Sequence, residues 1–160
     1  MAADVLWNGA RLGMTVGDVL KTVQKSRSRK TGDKIGDFAE LVDGPVLVIS
    51  SQKFTSRFYF SGVGLRLVKL TADTPYSAES AKEVFSTLSD LLQLRYGTAK
   101  FDQSYENAPF EGRATVWIHG SVDVTLSRTD GLMIGGQAGN SYSEVSVTYS
   151  GQMREDASHL

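Results

Sequence analysis

From Ser77 to Gly97 the chain carries its longest run of helical periodicity. Ala81, Val84, Phe85, Leu88, Leu91, Leu92 and Tyr96 recur at three- and four-residue steps, which places them on one face of a helix. Thr74-Pro75 offers an N-cap followed by a proline for the first turn, and Gly97 is a natural stop. A helix with one apolar stripe must bury it against another element. The segments on either side read mostly as strands and turns, so the expected partner is a sheet.

Upstream, Gly13 to Val23 reads as a shorter helix. Thr15 suits its N-cap, Asp18 suits the first turn, and Val16, Val19, Leu20 and Val23 form the buried stripe. Lys25 to Lys34 is a polar loop with five basic residues, and Ile35 to Val42 reads as a second short helix covering the core with Phe38, Leu41 and Val42. Pro45 to Thr71 reads as three strands. Val46-Leu47-Val48-Ile49 has the continuous apolar character of a central strand, Phe58 and Phe60 alternate with Arg57 and Tyr59, and Leu67-Val68 breaks the alternation as a bulge would.

Downstream, Lys100 to Tyr105 reads as a strand, and Glu106 to Gly112 as a loop. Arg113–His119 and Ser121–Ser127 make the clearest hairpin, turning at His119-Gly120, with Val122, Val124 and Leu126 inward and Asp123, Thr125 and Ser127 outward. A glycine-rich connection, Thr129 to Ser141, leads to a last strand at Glu144–Tyr149. The fold expected from this order is α+β, an antiparallel sheet with helices packed on one face. One domain at 1–150 is expected, with two helix-then-strands units at 13–72 and 74–150 and a polar tail at 151–160.

The chain of 160 residues is long enough for a real core. Seventeen basic and eighteen acidic residues leave a net charge of -1, which argues against a dedicated nucleic-acid binder. The absence of cysteine removes disulfides, thiolate metal sites and cysteine nucleophiles. No apolar run reaches the roughly 18–20 residues of a membrane span. Ala2-Ala3-Asp4 resembles what a signal-peptidase cut leaves behind.

Signatures of chemistry are sparse. The two histidines are His119, at a hairpin turn, and His159, in the tail, too few for a histidine-rich zinc site. The glycine-rich 131–141 stretch lacks the Lys-Ser/Thr pair of a phosphate loop, and its Met133-Ile134 pair either joins the core or meets a partner. Neither a metal nor a cofactor is expected. Asp102, Glu106, Glu111 and Asp123 lie close along the chain and raise the alternative of a carboxylate hydrolase. Arg27, Arg29 and Lys30 raise that of an anion or nucleic-acid binder.

Trp117 shares a face with Thr115 and His119, opposite Ala114, Val116 and Ile118. Either the smaller residues face the core and Trp117 anchors a partner on the exposed sheet face, or Trp117 packs under the long helix. On the first reading Trp117, Tyr59, Arg57 and His119 are the candidate partner-binding residues.

Gly13-Met14-Thr15 followed by Val19 resembles the Gly-Met-Thr-x-x-x-Val opening of small bacterial envelope proteins. These include the SmpA/OmlA outer-membrane assembly lipoproteins and proteins of the beta-lactamase-inhibitor-protein-like fold. Leu91-Leu92 with Arg95-Tyr96-Gly97, then Trp117, Val122–Leu126 and Val145–Tyr149, is similar to the second half of many small secreted bacterial proteins. Thr98-Ala99 stands where a proline often follows Tyr-Gly, and the lipoprotein cysteine is missing. The resemblance implies a periplasmic or secreted, non-enzymatic protein that binds another protein across an open sheet face.

Overall fold

A computed structural model describes residues 5–30, 32–73, 77–107, 110–133 and 141–151. The expected Thr74-Pro75 cap, Ala2-Ala3-Asp4, Ile134 and the tail with His159 lie outside them, as do the side chains of Glu106, Glu111 and Met133. The chain begins with a small hairpin of β1 (Val5–Trp7) and β2 (Ala10–Arg11), then helix α1 (Val16–Thr22). Short strands β3 (Arg27–Ser28) and β4 (Lys34–Ile35) precede a meander of β5 (Phe38–Ile49), β6 (Gln52–Ser61) and β7 (Gly64–Ala72). Helix α2 (Ala78–Tyr96) follows, and then a second meander of β8 (Phe101–Asn107), β9 (Phe110–His119), β10 (Val122–Met133) and β11 (Ser141–Gly151). All but β1 and β2 join one sheet in the order β3-β5-β6-β7-β11-β10-β9-β8, with β4 also paired to β5. Every pairing is antiparallel.

The expected α+β layout, helices packed as a layer on one sheet face, is corrected here. Strand accounts for 57% of the structure and helix for 20%, so the fold is sheet-dominated. Among the described residues there are two helices, and α1 has only 7 residues. The Ile35–Val42 segment, expected as a further helix, is strand, because Val42 pairs with Phe58 and Glu40 with Tyr59 on β6. Cross-strand pairing there overrides a weak helical pattern. The β1–β2 hairpin takes part of the covering role instead, supplying Leu6 and Ala10 to the core.

The helices that do form follow their local signals. Thr15 caps α1 in a reciprocal box, its hydroxyl accepting from the Asp18 N–H at 3.1 Å while the Asp18 carboxylate accepts from the Thr15 N–H. Ser77 caps α2, and Gly97 ends it at φ +83°, a conformation a side chain would resist. Val19 and Val23 from the first helical segment and Ala81, Phe85, Leu88 and Leu92 from the second are buried. They meet Val42, Phe54, Phe58, Val68, Leu70, Trp117, Val124, Leu126 and Val147 from one face of the large sheet.

The Val46–Ile49 run is an edge rather than a central strand. Beyond Asp43, β5 pairs only with β6 among the described residues, and Val46 and Val48 are 62% and 64% exposed. Its connection to β6 is a two-residue turn, since Ile49 pairs with Gln52, and Ser50 and Ser51 both have positive φ (49° and 67°). Turns of this hand favour Asn-Gly, so serine is strained at both places. Replacing Ser50-Ser51 by Asn-Gly should raise unfolding stability by about 1 kcal/mol. Urea denaturation checks this, and an unchanged or lower midpoint refutes it.

Candidate functional site on the open sheet face

Because directly paired residues share a face, the strand registers define rows running across the sheet. One row crosses seven strands: Phe101, Val116, Thr125, Thr148, Lys69, Arg57 and Asp43. At the usual strand spacing it is about 29 Å long. A neighbouring row holds Ile118, Asp123, Ser150, Leu67, Tyr59 and Glu40. Both lie on the face turned away from the core. Phe101 and Ile118 are exposed at one end, at 62% and 39%, and hydroxyls occupy the middle.

Charges gather at the other end. Glu40 is 1% exposed and takes two hydrogen bonds, from Arg29 Nη1 at 3.2 Å and from the Asp33 N–H at 3.1 Å, with Arg57 Nε at 3.6 Å. Arg29 also reaches Asp43 at 3.1 Å. The loop through Gly32 and Asp33 folds onto Glu40 so closely that a Cβ at Gly32 would strike it. Burial pushes the Glu40 carboxyl above its ordinary value, with Asp43 adding to the rise and the Asp33 N–H and Arg57 opposing it. Burial also raises the Tyr59 phenol. Further along the face, Lys69 pairs with Glu144 at 3.1 Å, and Ser127 and Ser146 share a hydrogen bond at 3.0 Å.

The four expected partner-binding residues divide between the two faces. Arg57 and Tyr59 are on the open face. Trp117 and His119 are on the core side, where Trp117 is 2% exposed and donates through Nε1 to the Gly97 carbonyl at 3.0 Å. Of the two placements open in the sequence, the structure has Trp117 under α2. Its ring therefore holds the end of that helix and does not face a partner. His119 is exposed, its ring tilted at 56° against that of Tyr96 with centroids 5.4 Å apart.

Of the expected anion-binding set, Arg29 is engaged by Glu40 and Asp43, while Arg27 and Lys30 are exposed. Asp102 and Asp123 point to opposite faces. Asp102 lies with Thr115 and is held by Arg113 at 2.9 and 2.6 Å, which keeps its carboxyl below the usual range. Phe101, Ile118, Lys69 and Thr148 escaped the sequence reading. Alternation around Val122, Val124 and Leu126 turns Thr125 outward, but only the register brings its neighbours beside it.

Among the described residues no cluster of His, Asp or Glu could hold a metal ion, and no helix is long and apolar enough to cross a membrane. Comparison with known protein families, curated protein sequences and solved structures gives no match for this chain.

Two expectations follow from this geometry. Trp117→Ala should lower stability by about 3–5 kcal/mol, and Trp117→Phe, which keeps the bulk and loses one hydrogen bond, by about 1 kcal/mol. Equal losses in urea titrations would show that the Gly97 contact dominates instead. For Glu40, a raised folded-state pKa means that the folded chain holds a proton the unfolded chain has released. Stability should therefore fall as pH rises from the ordinary value of 4.5 until the folded carboxyl has ionised. Glu40→Gln should lack this fall in denaturation series run from acid to neutral pH. A variant that tracks the wild type throughout would refute the assignment.

Proposed function

We propose that this chain is a non-catalytic protein-binding module that receives its partner on the open face of the large sheet. The observation that carries the reading is the row from Phe101 to Asp43, apolar at one end, hydroxyl-lined in the middle and charged at the other. An exposed aromatic and aliphatic pair beside polar groups on a rigid sheet is the composition of a protein interface. Phe101 and Ile118 are its anchors, and the hydroxyls of Thr125 and Thr148 supply hydrogen bonds.

A nucleic-acid partner on this face is disfavoured, because Lys69 lies against Glu144, and Arg57 against Glu40 and Asp33. Phosphate binding needs cations free to release counterions. Hydrolysis by Asp102 paired with Asp123 is disfavoured by their placement on opposite faces. A bacterial envelope setting rests on the resemblance of the short Gly-Met-Thr and Tyr-Gly motifs.

The test is affinity capture from a bacterial periplasmic extract with four folded proteins: wild type, Thr148→Arg, Phe101→Ala and Leu94→Ala. Leu94 is 85% exposed on α2 and serves as the control. One protein should be retained stoichiometrically by the wild type and the control, lost with Thr148→Arg and weakened at least tenfold by Phe101→Ala, about 1.4 kcal/mol. Retention of nothing, or equal retention by all four, would remove the proposal.

A further inference from the structure

On the other side of the sheet a cleft of about 740 Å³ opens between the β1–β2 turn, β5 and the C-terminal end of α2. Its size falls within the range of small-molecule sites. Leu6 and Leu47 give it apolar walls, while Trp7, Tyr96 and Tyr149 contribute rings. Trp7 is braced against Phe58 at 6.0 Å. Tyr149 is buried, and burial pushes its phenol up to about 12, so its O–H stays a neutral donor.

The polar lining is one-sided. Arg95 stands over the Tyr96 ring at 5.6 Å, is exposed, and makes no ion pair among the described residues. His119 lies beside Tyr96, and among the described residues no aspartate or glutamate lines the cleft. The Gly97 carbonyl, just beyond the end of α2, accepts from Trp117 Nε1–H.

We propose that this cleft binds a small aromatic carboxylic acid, its ring between the apolar wall and the tyrosines and its carboxylate on Arg95. A guanidinium with no ion pair among the described residues, beside an aromatic slot, selects a planar apolar body that ends in a negative charge. The site stands on the face opposite the protein-binding row and on different residues, so it does not depend on that reading.

Isothermal titration of the whole chain tests it, with naphthylacetate as probe and naphthylacetamide as its uncharged match. Naphthylacetate should bind at one site and about tenfold tighter than the amide. Arg95→Gln should bring the acid down to the affinity of the amide and leave the amide unchanged. Leu47→Trp, which fills the slot from an edge strand, should abolish both, while Val63→Ala, at an exposed turn away from the cleft, alters neither. No saturable binding of either probe overturns the proposal. So does equal binding of acid and amide, or an Arg95→Gln variant that still prefers the acid.

Discussion

The pairing of β7 with β11 is the contact on which the rest depends. Five residue pairs, from Thr71 with Ser146 to Leu67 with Ser150, join the meander before α2 to the one after it. Without them the chain would form two narrow ribbons, each with an extra exposed edge and half a core. With them, Val68 meets Tyr149 and Leu70 meets Val147 inside, while Lys69 meets Thr148 outside. The same five pairs therefore close the core and complete the open-face row. The partners are some 75 positions apart in sequence, as the Lys69–Glu144 ion pair is, so the join is paid for by loop closure.

The core side is closed by unequal covers, and the cleft lies where they fail to meet. Gly13-Met14-Thr15 seats the first cover. Gly13 turns at φ +83° and donates to the Leu65 carbonyl at 3.0 Å, the Met14 carbonyl accepts from Leu65 at 2.8 Å, and Thr15 begins α1. Gly64, next to this contact, has no room for a Cβ against the Gly13 backbone. On the other side α2 stops at Gly97, where Trp117 holds its last carbonyl. The space between Trp7 and Tyr96 follows from those two anchors, so a short motif and one buried indole shape a cavity that neither of them fills.

What was legible in the sequence was what is local. The α2 periodicity, the Thr15 cap, the Gly97 stop and the β9–β10 hairpin are each encoded within a few residues, and each formed. The break in alternation expected at Leu67-Val68 lies one step earlier, as an irregular register between Leu65 and Leu67, while Leu67 and Val68 pair regularly with Tyr59 and Phe58. Illegible were the features set by distant partners. Ile35–Val42 became strand because β6 was there to pair with it. Val46–Ile49 reads apolar like a central strand, yet nothing pairs with its outer side among the described residues. For the candidate site, alternation with Phe58 and Phe60 put Arg57 and Tyr59 on one face, but Trp117 and His119 could be assigned to a face only once β9 had found β10.

That assignment turns on parity. On β9 the step from Val116 to Trp117 to Ile118 alternates open face, core and open face, and a slip of one residue would exchange all three. The indole makes such a slip expensive: it would lose its buried seat and leave the end of α2 without its hydrogen bond. Trp117 thus keeps Val116 and Ile118 on the open face, the first half-buried and the second exposed. On β7, Leu65 and Val68 both reach the core although they are three positions apart, because the irregular register accommodates an extra residue between them. The adjustment leaves Leu67 on the open face beside Tyr59. The two faces can therefore differ in chemistry, since the core residues that hold the register are not the ones that line the open face.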